Sequence, residues 1–100
     1  MARFDNKVAI VTGGGSGIGA EISRELAAEG ASVVITDIKI DAAQTVVDEI
    51  IAAGGKAAAF AQNTAKWEDS EAAVAFATET FGGLHLAVNN AGIGAAPHRR

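Results

Sequence analysis

Residues 12–19 read TGGGSGIG, five glycines in eight positions, directly after the apolar run VAIV at residues 8–11. Glycine loses more backbone freedom on folding than any other residue, so such a run is costly to order and needs a use. A glycine-rich turn between a buried strand and a helix N-terminus has one. It brings bare backbone N–H groups up to a diphosphate, and the positive end of the helix dipole favours the charge. In that arrangement Gly13 makes the tight exit from the strand, Gly17 allows close backbone approach, and Gly19 lets the helix lie against the sheet. Thr12 and Ser16 add hydroxyls able to bond the turn or a phosphate. The same letters without their surroundings would be only a glycine-rich loop.

The surroundings favour the turn. Residues 7–11 are a short β-branched apolar run, which predicts a strand. After the glycines, Ile18, Ile22 and Leu26 recur at spacing four while Glu21, Arg24, Glu25 and Glu29 point elsewhere, the stripe of a helix closed by Gly30. Residues 31–36 (ASVVIT) predict a second strand. Asp41 is placed to cap a second helix with the stripe Ala43, Val46, Val47, Ile50 and Ile51, stopped by Gly54 and Gly55. Residues 56–61 are read as a third strand from context, since alanine is a poor strand former. A third helix over about residues 67–81 carries Ala73, Val74, Ala77 and Phe81 and closes at Gly82 and Gly83. Residues 84–88 form a fourth strand that enters NNAG. Strands separated by helices imply an α/β fold with a parallel sheet and right-handed crossovers.

Asp37 ends the second strand, eighteen residues beyond Gly19. A carboxylate there can accept hydrogen bonds from both adenosine ribose hydroxyls and repels a 2′-phosphate; the alternative is an ordinary strand-end turn residue. An arginine in the glycine turn or just after Asp37 would argue for the phosphorylated cofactor, and Ser16 and Ile38 hold those places, with Lys39 the one nearby cation. NAD is expected over NADP.

Composition removes other classes. One hundred residues suffice for one small domain. Eight basic and twelve acidic side chains give a net charge of −4, with the basic residues scattered except Arg99 and Arg100, which argues against nucleic acid. There is no cysteine, and the two histidines, His85 and His98, are too far apart in sequence to suggest a metal site. No stretch resembles a signal-peptide core or a membrane span, so a cytoplasmic location is expected.

TGGGSGIG, Asp37 and FGGLHLAVNNAG at residues 81–92 together resemble the N-terminal part of the short-chain dehydrogenase/reductase family. The resemblance runs from Lys7 to Gly92, and NNAG is its more distinctive element. It implies a Rossmann-type doubly wound parallel sheet, here the first four strands in the order 3-2-1-4 with three helices, and residues 1–100 as the N-terminal part of a single NAD(P)-binding domain. It places Gly13, Gly17, Ile18 and Gly19 at the pyrophosphate and Asp37 at the adenine ribose, with Ser16 counted among the cofactor-binding residues. Asn63 and Thr64 would lie at the adenine, and Asn90, Ala91 and Gly92 would pack on the cofactor, Asn90 also bracing the sheet. The family usually has Asp where Asn63 stands and a Ser or Thr cap where Ala65 stands, the lost cap being worth about 1 kcal/mol. His85 stands where the family often has aspartate and is read as a polar residue at the start of a strand.

The reaction implied is hydride transfer between the nicotinamide and an alcohol or ketone carbon. In the family a Tyr-x-x-x-Lys pair and an upstream serine neutralise the alkoxide-like charge. This sequence has no tyrosine, and Ser16, Ser23, Ser32 and Ser70 all fall in cofactor-binding elements. The expectation is therefore the dinucleotide-binding half of an NAD-dependent oxidoreductase, without catalytic residues and inactive by itself. The alternative is a non-catalytic, truncated dinucleotide-binding or interaction module. A homo-oligomer is expected by analogy. In this strand order the third helix covers one sheet face alone, so a free 100-residue chain should self-associate or be only marginally stable.

Overall fold

Among the residues the computed structural model describes, 4–13, 15, 17–62 and 67–89, strands and helices alternate without exception. They are β1 (Val8–Thr12), α1 (Gly17–Ala28), β2 (Ser32–Asp37), α2 (Ile40–Ala52), β3 (Lys56–Ala61), α3 (Trp67–Phe81) and β4 (Leu86–Asn89). The strands form one parallel sheet in the order β3-β2-β1-β4, as the sequence implied. In register, Val8 lies opposite Ser32, Ser32 opposite Lys56, and Ala9 opposite Leu86.

Burial explains why β2 reads as a continuous apolar run. Val33, Val34, Ile35 and Thr36 are all buried, as expected of a central strand covered on both faces. The pleat sends alternate side chains to opposite cores. Val33 and Ile35 join Val11, Val46, Val47 and Ile50 beneath α1 and α2. Val34 joins Val8, Ile10, Ala73 and Ala77 beneath α3, with Phe60 and Phe76 packed at the side, their rings 5.0 Å apart. Helices thus cover both faces, two on one side and one on the other.

Three members of the expected stripes are not core. Ile18 is 65% exposed, Ile51 54% and Val74 43%. Ile18 stands in the first turn of α1 and Ile51 in the last turn of α2, so both exposed members fall at helix ends. The sheet-facing side of α1 is built instead from Gly19, Ala20 and Ser23, the Ser23 hydroxyl being satisfied by donating to the Gly19 carbonyl at 2.8 Å. Small residues there let the helix axis approach closely. Val74 lies one step round α3 from buried Ala73, on a flank that no neighbouring helix covers among the described residues.

The capping expectation for α2 is also corrected. The helix begins at Ile40, with Lys39 in the cap position and no side-chain cap bond. Asp41 sits inside the first turn, where its negative charge still meets the positive end of the dipole. The carboxylate that would otherwise compete for this role is Asp37, whose Oδ1 accepts from the Lys39 N–H at 3.0 Å. That bond turns the chain from β2 towards α2.

The fourth strand starts two residues later than read, because the imidazole of His85 takes over a position in the ladder. Its main-chain N–H donates to the Val8 carbonyl at 2.9 Å, and its Nδ1 accepts from the Val8 N–H at 2.9 Å. A side chain thus replaces a backbone acceptor where β4 joins β1.

Candidate functional site

In a parallel sheet every strand ends at the same edge, where the loops leading into the helices gather. In an open α/β sheet ligands bind at such an edge, at the point where the strand order reverses. Here the order reverses between β2 and β4, on either side of β1. The glycine turn leaves β1 at that point.

Gly13 leaves β1 with φ +64° and Gly17 opens α1 with φ +57°, both in the left-handed region. A Cβ at Gly17 would meet nothing within 4 Å, so glycine is needed there for its conformation and the space over it is open. Gly19, two residues on, is buried against the sheet. The Thr12 hydroxyl donates to the Val88 carbonyl at 3.2 Å and ties the exit of β1 to β4. Ile18 and Ile38 expose 65% and 67% of their surface beside the two strand exits.

Asp37 ends β2 and is half-buried. Its Oδ2 accepts the Gly15 N–H at 3.1 Å, while its Oδ1 holds the Lys39 N–H. Each carboxylate oxygen has two acceptor sites, so two backbone bonds fix the group and leave about two sites for a ligand. A vicinal diol suits that remainder.

The geometry therefore brings Gly13, Gly17, Ile18, Gly19 and Asp37 to one edge. The other expected site residues, Ser16, Asn63, Thr64, Asn90, Ala91 and Gly92, lie outside the described residues. Sequence reading gave Gly15 no role of its own. A run of three glycines was the visible signal, but its meaning depends on how closely α2 approaches, which no local pattern encodes. The described residues hold no group of three or more His, Asp or Glu side chains able to bind a metal ion, and no helix long and apolar enough to cross a membrane.

These features define a Rossmann-type architecture: parallel sheet, glycine turn into a helix, and a fixed acid at the end of the next strand. The family model for short chain dehydrogenases matches residues 7–100, and the chain belongs to that family. It is 63% identical over 91 residues to a cyclohexanol dehydrogenase of an Acinetobacter species, covering 91% of this chain and 36% of that protein. It is 47% identical over 92 residues to a 7alpha-hydroxysteroid dehydrogenase of Escherichia coli, covering 92% and 36%. A crystal structure of hydroxysteroid dehydrogenase from Escherichia coli superposes with TM-score 0.85 at 44% identity, over 88% of this chain and 37% of that one. A short chain dehydrogenase from Mycobacterium avium gives 0.86 at 48% identity, over 90% and 34%. The chain thus spans about a third of the length of the relatives it matches.

Proposed function

We propose that residues 1–100 are the N-terminal part of one NAD(P)-binding domain and bind the adenosine diphosphate portion of NAD. The observation that carries this reading is the Asp37 carboxylate, held by the Gly15 N–H beside the glycine turn at the end of β2. A ribose diol can bond its two remaining acceptor sites, and a 2′-phosphate in the same place meets its negative charge. That repulsion favours NAD over NADP.

Gly13, Ser16, Gly17, Ile18 and Gly19 take the pyrophosphate in this reading, the open space over Gly17 admitting it to the start of α1. Asn63 and Thr64 take the adenine, and Asn90, Ala91 and Gly92 the far side of the cofactor. When bound, the nicotinamide supplies the hydride chemistry; this chain's residues bind and orient. The whole protein would oxidise an alcohol or reduce a ketone, and the relatives named for cyclohexanol and a hydroxysteroid support a secondary alcohol on a ring. With no tyrosine in the sequence, the 100 residues alone are expected to bind without turnover. A cytoplasmic homo-oligomer completes the reading.

Titration calorimetry tests it. NAD should bind more tightly than NADP, and Asp37→Ala should weaken NAD by about 10- to 100-fold, the worth of hydrogen bonds to a charged acceptor. No heat with millimolar NAD would end the dinucleotide reading.

A further inference from the structure

In the reading above the glycine turn serves the phosphates and the acid at the end of β2 serves the sugar. In this chain they touch, through Gly15. Its N–H donates to Asp37 Oδ2 at 3.1 Å. A Cβ built on Gly15 would stand 2.8 Å from the Ala42 carbonyl carbon, 2.8 Å from the Ala42 Cβ and 2.8 Å from the Ala43 nitrogen. Two of those three atoms are backbone. Nor can α2 retreat easily, because Ala43 is fully buried and shares the core with Val46, Val47 and Ile50. Gly15 therefore lies directly on the first turn of α2, and a side chain there would force backbone to shift.

We propose that Gly15 is a positioning residue of the ribose site: its bare backbone rests on α2 so that its N–H can fix the Asp37 carboxylate. The inference rests on the dinucleotide reading above and adds a residue to it. Two N–H groups, from Gly15 and Lys39, grip opposite oxygens of the carboxylate. The Lys39 bond is local, two residues along the chain, and would form in any such strand-end turn. The Gly15 bond spans twenty-two residues and forms only if the glycine turn is docked. It stops the carboxylate from rotating about its side-chain bonds and leaves one acceptor site per oxygen aimed at the ligand. The acid is thus set in place before the sugar arrives, which lowers the ordering cost of binding. A side chain at position 15 lifts the turn from α2, draws the N–H away and frees the carboxylate.

The consequence is a coupling between two positions far apart in sequence. Gly15→Ala acts on NAD affinity chiefly through Asp37, so the two substitutions should not be additive. The test is a double-mutant cycle in NAD titrations with the wild type, Gly15→Ala, Asp37→Ala and the double variant, each checked by its thermal melt. Gly15→Ala should weaken NAD about tenfold in the wild-type background, the worth of one charge-assisted hydrogen bond. In the Asp37→Ala background it should cost less than about twofold. An equal loss in both backgrounds, or no loss in the first, overturns the proposal while leaving NAD binding intact. Failure of the wild type to bind NAD at all overturns the dinucleotide reading and this inference together. If Gly15→Ala does not fold, the Gly15 amide resonance decides instead: in the ligand-free protein it should shift upfield in Asp37→Ala. An unchanged resonance refutes the bond.

Discussion

His85→Ala isolates one hydrogen bond whose value can be worked from its surroundings. The Val8 N–H that His85 Nδ1 accepts belongs to a residue only 3% exposed, and the bond is 2.9 Å long. Truncation removes the acceptor and leaves a donor at the start of β1. A buried donor without a partner costs about 1–3 kcal/mol. His85 itself is exposed, so water can reach the vacated position and the lower end applies, about 1 kcal/mol. The main-chain bond from His85 to the Val8 carbonyl survives, so the register of β4 should hold. For a domain of this size the expected fall in Tm is about 4–8 °C. His85→Asn supplies the control, because its Oδ1 can stand close to where Nδ1 was; it should recover most of that loss. Circular dichroism melts at several protein concentrations would measure both variants and separate unfolding from association. An alanine variant that melts with the wild type, or an asparagine variant no better than alanine, would refute the argument.

Two further outcomes follow from the packing. Ile35→Ala empties a fully buried site beneath α1 and α2 and should cost about 2–5 kcal/mol in urea unfolding, whereas Ile35→Val should cost about 1; equal midpoints for the two would contradict the assigned core. The 100-residue chain studied alone should associate with itself, since β4 pairs only with β1 among the described strands and Leu86 on it is 37% exposed; a monodisperse 10.1 kDa species across a concentration series in sedimentation would count against this.

The sheet was legible because its signals are local and redundant. β2 must be buried on both faces, and SVVITD has no room for a polar face until Asp37. The weak strand β3, nearly all alanine, came out with its expected bounds because its neighbours leave it no other place. Helix stripes were less reliable, and the failures share a cause. Spacing fixes the angle at which a side chain leaves a helix but not how far the sheet extends beneath it. Ile18 and Ile51, in the first and last turns of their helices, have the right angle yet are exposed, while Ser23, in the middle of α1, is fully buried. Asp41 failed as a cap for a related reason: the chain enters α2 already turned by the Asp37 side chain, so the helix begins before Asp41 is reached.

The site divides in the same way. Gly13, Gly17 and Asp37 could be read because each answers to its own place in the chain, a left-handed turn or a strand end. Gly15 could not, since what excludes a side chain there is the backbone of α2, some twenty-seven residues later. Its requirement for glycine arises from a contact between elements and would vanish if α2 sat a few ångströms further away. A glycine in a phosphate-binding turn can thus be demanded by the protein as well as by the ligand. The two demands separate experimentally: at Gly17, with open space over it, a methyl group strains the backbone and intrudes where the diphosphate would lie, whereas at Gly15 it strikes α2 whether or not any ligand is present.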